Sequence, residues 1–199
     1  MQFCTALSAV SALAFVASAN AGVLDTLEFE DLNTGDIFST GTPFVTEGIT
    51  VTTNEFFFFP GPGSTTDGFA QVIDPNMAGG GKGIFANNTN LDFGFVYPQD
   101  IITFSYANEG GNVNLLINGT LLNAGVLVDL DGTMVGDVTV SVSTPGMGVD
   151  AGTVTLQGTI TGFAVGGQEF NLDNIRYTVP APGTAALGLI ALLGSRRKR

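Results

Sequence analysis

Two short stretches near the ends of the chain combine carboxylates with apolar residues in a pattern that could bind a hard cation. In "LEFEDL", Glu28 and Glu30 fall on one face of an extended strand. In "FNLDNI", Asp173 lies on the face opposite Leu172 in the strand alternation. Ca²⁺ prefers carboxylate and carbonyl oxygens, so pairing of the two stretches would make Glu28, Glu30 and Asp173 a candidate calcium site. The alternative is solvated charge on the outer face of the strands.

The composition of the chain excludes several kinds of catalytic and metal site. The chain has no histidine, and Cys4 is its one cysteine, which removes His-dependent nucleophiles and the usual zinc sites. The "GGGKG" run, Gly79 to Gly83, lacks the spacing of a phosphate-binding loop. "DLDG", Asp129 to Gly132, resembles the start of a calcium loop but lacks its closing Glu, and a hairpin turn is favoured. Glycoside hydrolysis needs only two carboxylates and stays open, although no pair stands out.

A run of four aromatic residues forms the second candidate site. "NEFFFFP" contains Phe56, Phe57, Phe58 and Phe59. In a strand two of them face each way. A buried strand is the favoured interpretation, because large apolar side chains are usually inside. An exposed aromatic face for a ligand is the alternative.

The net charge of the chain limits the kinds of molecule that it is expected to bind. All 18 acidic residues lie between Asp25 and Asp173, and the same body has only Lys82 and Arg176 as basic residues, which gives a net charge near −16. Such a surface repels the phosphates of nucleic acids and anionic lipids. It also keeps an exported protein soluble.

The body of the chain has the alternation of half-buried β-strands. The four clearest examples are "GITVTT", "DIITFSYA", "DVTVSVST" and "GTVTLQGTITGF". Asn118-Gly119, Asp131-Gly132 and Gly166-Gly167 are predicted turns. No long helical periodicity occurs between residues 22 and 178. We therefore predict an all-β fold, an antiparallel β-sandwich of jelly-roll type, in which the strands of "LEFEDL" and "FNLDNIRYTV" pair.

The first residues have the features of an export signal. An apolar, small-residue stretch from Ala6 to Ala17 is followed by Ala19-Asn20-Ala21, a small-x-small cleavage site. Residues 1–21 are therefore predicted to be a signal peptide. Cleavage there removes Cys4, so the mature protein is expected to have no disulfide.

The last residues combine three features in order. Pro180-Ala181-Pro182 precedes an uncharged, mostly apolar segment from Thr184 to Gly194, and Arg196, Arg197, Lys198 and Arg199 end the chain. The segment, predicted to be a short hydrophobic helix, is shorter than the about 20 residues of a full span. The basic end favours the cytoplasmic side of a membrane. The tail therefore predicts transient membrane association during export.

This ending resembles the PEP-CTERM sorting signal of Gram-negative bacteria, in its Pro-Ala-Pro variant, since Ala181 stands where the family usually has Glu. The resemblance implies recognition by an exosortase, a membrane cysteine protease that processes the tail, often in cells that make exopolysaccharide and biofilm. It covers residues 179–199. The body is similar to the β-sandwich cargo domains found before this signal, on the short patterns "FEDL" and "LDNI".

Three segments are thus predicted: the signal peptide (1–21), a β-sandwich domain (22–178) and the sorting tail (179–199). The predicted function is that of a non-catalytic, exported cell-surface or matrix protein that associates with extracellular polysaccharide or surface proteins. The alternatives are a carbohydrate-active enzyme with a carboxylate pair and a purely structural envelope protein. Nucleic acid is not an expected partner, and Ca²⁺ is the one candidate cofactor.

Overall fold

The computed structural model describes residues 23–145 and 150–179, and within these the chain is built of antiparallel strands. The first eight strands are β1 (Val23–Leu27), β2 (Ile37–Ser39), β3 (Pro43–Thr46), β4 (Ile49–Asn54), β5 (Phe56–Phe57), β6 (Ser64–Thr65), β7 (Phe69–Ile73) and β8 (Gly83–Asn87). The other strands are β9 (Thr89–Gly94), β10 (Gln99–Ile117), β11 (Thr120–Ala124), β12 (Met134–Val135), β13 (Val138–Ser143), β14 (Ala151–Ile160) and β15 (Phe163–Val179). A short 3₁₀-helix, Leu127–Leu130, precedes β12. The predicted all-β, antiparallel class is confirmed.

Two long strands, β10 and β15, organise the main sheet. They pair with each other, and the strand order across them is β12-β13-β14-β10-β15-β8-β7-β2. Along its length β15 also pairs with β9 and β1, and β10 also pairs with β11. β4 lies between β3 and β9, and β5 and β6 form a separate small sheet. Both long strands therefore have different partners on their two halves.

The sheet folds back on itself along these two strands. Gln99, at the start of β10, pairs with Ile160, whereas Ile117, at its end, pairs with Phe163. A straight strand of this length would separate its ends by about 60 Å, yet their partners are only a short turn apart in the chain. The rings of Phe104 and Phe163 are correspondingly 5.5 Å apart. The β10–β15 register shifts between Asn108 and Val113, where the bend can be accommodated.

One hydrophobic core lies inside the folded-back sheet. It contains residues from both halves of β10, among them Phe104 and Leu115, and from both halves of β15, among them Val165 and Leu172. Phe93 stacks on Phe163 with ring centroids 5.3 Å apart. Burial of these side chains is the main force that holds the fold together.

The four alternating sequence patterns are confirmed as strands. "GITVTT" forms β4, "DIITFSYA" lies in β10, "DVTVSVST" forms β13 and "GTVTLQGTITGF" forms β14. In β10 the predicted inward residues Ile102, Phe104 and Tyr106 are buried. Asn118 and Gly119 form the predicted hairpin turn between β10 and β11, and both have positive φ.

The turn predicted at Gly166-Gly167 is wrong, because both glycines lie inside β15. A Cβ on Gly166 would overlap the carbonyl oxygen of Thr89 on the neighbouring strand β9. Small residues are therefore needed here for close approach of two backbones and not for a turn.

Two further expectations need correction. "LEFEDL" is not a strand: β1 ends at Leu27, and Phe29 has a positive φ of 60° while its side chain stays buried. Asp131-Gly132 is a turn, as predicted, closed by the Thr133 N–H donating to the Leu130 carbonyl at 3.0 Å. It follows the 3₁₀-helix and does not join two paired strands; the hairpin turn falls at Gly136-Asp137 between β12 and β13.

The predicted signal peptide and sorting tail lie outside the described residues, apart from Val179. Among the residues that the structure does describe, there is no helix with the length and apolar character needed to cross a membrane.

Candidate functional site: an acidic junction at the terminal strands

The first and last strands of the domain pair antiparallel, as expected for the stretches that flank the candidate calcium site. The register joins Val23 to Val179 and Leu27 to Ile175. Glu28 follows β1 directly, and Asp173 lies two residues before Ile175. The carboxylates predicted to meet are therefore brought to one junction, although Glu28 and Glu30 leave the strand before reaching it.

The segment that carries Glu28 and Glu30 is held by the hairpin turn between β3 and β4. Glu47, in this turn, accepts hydrogen bonds through Oε1 from the backbone N–H of Glu28 (3.2 Å) and of Glu30 (3.3 Å). Asp31 binds back to the same hairpin, accepting from the Thr46 hydroxyl at 2.6 Å and from the Glu47 N–H at 2.8 Å. Both glutamates keep exposed side chains.

Asp173 is the buried member of the junction, with only 2% of its surface exposed. Burial raises its pKa to about 6, against the effect of the hydrogen bond from the Asn174 N–H, and the negative charges of Glu28, Glu30 and Glu47 raise it further. A carboxyl that is protonated in weakly acidic solution thus lies beside exposed carboxylates.

Asp31 titrates in the opposite direction. Burial disfavours the charged form of Asp31. The hydrogen bonds from the Glu47 N–H and the Thr46 hydroxyl, together with the charge of Lys82, outweigh the effect of burial and hold the pKa of Asp31 below the usual range. The junction therefore separates two aspartates: one is stabilised as a carboxylate, and the other is favoured in its neutral form.

Lys82 supplies positive charge to the junction. Its Nζ donates to the carbonyl oxygens of Glu30 (2.7 Å) and Leu32 (2.8 Å), and its N–H donates to Glu30 Oε1 at 3.0 Å. The Nζ lies 4.0 Å from Glu30 Oε2. The ammonium group therefore satisfies two backbone carbonyls of the segment that follows β1.

Within residues 23–145 and 150–179, no group of three carboxylates is positioned to hold a metal ion. Glu28 and Glu30 act on Asp173 through their charges, and the geometry does not assemble the three into a coordination sphere. Calcium binding at Glu28, Glu30 and Asp173 stays a prediction.

The second candidate site, the aromatic run, is divided between core and surface. Phe56 is fully buried, and its ring packs edge-on against Phe58 at 5.6 Å. Phe57 and Phe58 are half-buried, whereas Phe59 is 49% exposed. Of the four phenylalanines, Phe59 is thus the one with a largely free aromatic surface.

A clamp of asparagine side chains, which the sequence analysis missed, holds this aromatic segment. Asn114 accepts from the Phe57 N–H and donates to the Phe57 carbonyl, both at 2.9 Å. Asn112 accepts from the Phe59 N–H at 3.2 Å and also donates to the Phe57 carbonyl. Asn123 donates to the carbonyls of Phe57 and Phe58 at 3.1 Å. β5 also pairs with β6, and these amides supply further hydrogen-bond partners to the backbone of the aromatic segment.

The clamp has a weak signal in the sequence. In "GNVNLLIN", Asn112 and Asn114 alternate with Val113 and Leu115, a pattern that normally indicates a solvated face. Both asparagines are buried, and a buried amide must find partners. Asparagine, unlike serine or threonine, can offer a donor and an acceptor in one plane to a backbone amide.

Comparison with known proteins adds no relative: no protein-family model, no curated protein and no solved structure matches this chain. The function must therefore be argued from the chain's own residues and geometry.

Proposed function

We propose that the chain is an exported cell-surface or matrix protein whose β domain is a non-catalytic module for association with extracellular polysaccharide or surface proteins. The observation that carries this proposal is the pairing of Val23 with Val179. The chain enters and leaves the domain side by side, directly after the signal peptide and directly before the sorting tail suggested by the sequence. The rest of the domain surface then remains available to a partner.

The sandwich architecture belongs to the same proposal. It is supported by the return of β10 on itself, since its two ends pair with Ile160 and Phe163, and by the single core shared by both halves of the sheet. Sandwiches expose loops at their two ends and flat faces between them. Those surfaces suit recognition of an extended polymer.

Sorting by an exosortase is supported by the order of features in the tail, Pro180-Ala181-Pro182, apolar segment and basic end.

Two considerations point to an uncharged extracellular partner. The acidic body disfavours nucleic acid and anionic lipid, and its net charge near −16 also disfavours a polyanionic polymer.

A direct test uses protein released from the native cell surface. Binding to the producing organism's own extracellular polysaccharide is measured by affinity electrophoresis, with bovine serum albumin as an acidic control that binds no polysaccharide. Retardation of this protein alone supports the proposal. Equal mobility with and without the polysaccharide, together with no enrichment of surface proteins after cross-linking on cells, contradicts it.

A carbohydrate-active enzyme is the second candidate, because one observation favours it. Asp173, with its pKa raised to about 6, lies in the field of Glu28 and Glu30, and a protonated carboxyl beside an ionised one is the arrangement that glycoside hydrolysis uses. The burial of Asp173 opposes this function, since a general acid must reach the glycosidic oxygen. Release of reducing sugar by the wild type and not by Asp173→Asn would favour the enzyme over the binding module.

A further inference from the structure

An open depression of about 430 Å³ lies at one end of the β13-β14-β10 part of the sheet. Six of its lining residues come from these strands, and three of the six are serine or threonine: Ser143 from β13, Thr153 from β14 and Ser105 from β10. The register pairs Ser143 with Thr153 and Thr153 with Ser105. Directly opposed residues share a face of a sheet, so the three hydroxyl side chains form one row across three strands. The volume is in the range of small-ligand sites.

The walls of the depression come from two loops. Met77, from the loop of residues 74–82, lies on one side, and Thr144 and Pro145 follow β13 on the other. Met77 is 65% exposed. Its flexible, polarizable side chain and the ring of Pro145 offer apolar surface beside the row of hydroxyls.

The loop that carries Met77 is ordered by hydrogen bonds between its own residues. Asn76 is buried; its Oδ1 accepts from the Ala78 N–H at 2.7 Å, and its N–H donates to the Gly81 carbonyl at 2.8 Å. The next glycine, Gly79, lies so close to Asp173 and Asn174 that a Cβ there would overlap both side chains. A wall that is already ordered loses little entropy when a ligand binds.

The chemistry of the lining selects one class of ligand. Among the described residues that line the depression, every polar side chain is a neutral hydroxyl and none is a lysine or arginine. A Ser or Thr hydroxyl can donate one hydrogen bond and accept others, which matches the hydroxyl groups of a sugar. The apolar parts of Met77 and Pro145 match the C–H groups of a sugar ring. A carboxylated or phosphorylated ligand would find no cation here and would meet the field of an acidic domain.

We propose that this depression binds a neutral saccharide, one or more rings of an uncharged extracellular polysaccharide. The proposal rests on the proposed polysaccharide-binding function and adds the place and the class of sugar. Ser105, Ser143 and Thr153 bind the sugar hydroxyls, and Met77 covers one face of the ring.

Calorimetric titration of the processed protein with neutral glucan, mannan and galactan oligosaccharides, and with polygalacturonate as the anionic comparison, tests the proposal. We expect at least one neutral series to bind and polygalacturonate not to bind. The double variant Ser143→Ala with Thr153→Val, which removes two hydroxyls, is expected to weaken binding by about tenfold or more. The control pair Thr139→Val with Ser141→Ala lies on the same face outside the depression and is expected to bind as the wild type does.

A second measurement needs no variant. Met77 and Met134 are almost equally exposed, at 65% and 64%, and Met134 does not line the depression. A bound saccharide is expected to slow oxidation of Met77 by hydrogen peroxide and to leave Met134 unchanged, as followed by peptide mass spectrometry. Equal rates with and without a saccharide that binds would overturn the assignment of the site.

The possible failures are distinguishable. In one outcome, a neutral saccharide binds the Ser143→Ala, Thr153→Val variant as tightly as the wild type and leaves Met77 unprotected. That result would support the proposed function and contradict the assignment of this site. Preferential binding of polygalacturonate overturns the neutral class. Absence of binding to every saccharide tested, including the native polysaccharide, contradicts both the site and the polysaccharide-binding function.

Discussion

Gly79 lies directly against Asp173: a Cβ atom at position 79 would overlap Oδ2 of Asp173 and Nδ2 of Asn174. The loop of residues 74–82 can therefore cover this carboxyl only with a glycine at the contact. The same loop carries Met77 into the wall of the depression and Lys82 into contact with the carbonyls of Glu30 and Leu32. One glycine contact thus links the acidic junction to the proposed saccharide site.

Replacement of this glycine should displace the loop. We expect Gly79→Ala to lower the free energy of unfolding by about 1–3 kcal/mol, the usual cost of forcing atoms into a packed contact. Urea denaturation followed by circular dichroism measures the change. Gly125→Ala is the matched control, since a Cβ there meets no atom within 4 Å, and it is expected to be neutral or slightly stabilising. Equal stability of Gly79→Ala and the wild type would contradict the close contact.

Asp173 should give the domain a characteristic pH dependence. Its folded-state pKa, about 6, is higher than the ordinary pKa of an aspartate, so the folded state holds this proton more tightly than the unfolded state. The contribution to stability is therefore full below about pH 4 and falls as the pH rises through about 6, by at most about 3 kcal/mol.

The Asp173→Asn variant isolates this contribution, because it keeps the size of the side chain and removes its titration. The difference in unfolding free energy, wild type minus variant, is expected to fall between pH 4 and pH 7 and then to stay constant. Charge repulsion decreases on acidification in the wild type and in the variant alike, so the difference between their unfolding free energies does not contain this general effect. A difference that is flat over this range would show that Asp173 titrates as an ordinary exposed carboxyl.

We expect the first and last phenylalanines of the aromatic run to contribute very differently to the stability of the domain. Phe56→Ala removes a fully buried ring and is expected to destabilise the domain by about 3–5 kcal/mol. Phe59→Ala removes a ring that is half exposed and is expected to cost less than about 1 kcal/mol. Thermal unfolding of both variants measures the difference. If Phe59 belongs to a ligand surface, Phe59→Ala also weakens attachment to cells at unchanged stability; if both variants unfold alike, the whole run is core.

The strands were predictable because their information is local. In β13 and β14, valine or leucine alternates with serine or threonine, and the sheet buries one face and exposes the other, so the pattern and the structure agree. The turn at Asn118-Gly119 was predictable for the same reason, because two residues that accept positive φ separate two apolar runs.

Features that depend on distant residues were not predictable. Asn114 is 57 residues from Phe57, whose backbone it binds, so its alternation with apolar residues falsely indicated exposure. Gly166 and Gly167 look like a turn in isolation, but both lie within β15, where the approach of β9 requires glycine at Gly166. Asp173 looked like an outer-face residue, and a loop some 90 residues earlier in the sequence buries it.

Processing at both ends is the prediction that follows from the terminal segments. The mature protein is expected to begin near Gly22 and to lack the basic residues Arg196 to Arg199. Intact-mass spectrometry of protein from the native cell surface measures both ends at once. A strain without its exosortase is the control, in which the basic end should be retained. Fully exported protein that still carries Arg196 to Arg199 in the normal strain would disprove the sorting hypothesis.

Calcium binding at the junction of the terminal strands can be decided by stability. An ion held by Glu28, Glu30 and Asp173 binds the folded state and not the unfolded state, so the melting temperature should rise with added CaCl₂ and fall with chelator. At a calcium concentration of 100 times Kd the expected gain is about 2.7 kcal/mol. The effect should weaken below about pH 6, where Asp173 gains a proton.

Glu28→Gln combined with Asp173→Asn keeps the side-chain sizes, removes two charges and should abolish the response. Lys82 already supplies positive charge beside Glu30. A melting curve that ignores both calcium and chelator would contradict calcium binding at this junction.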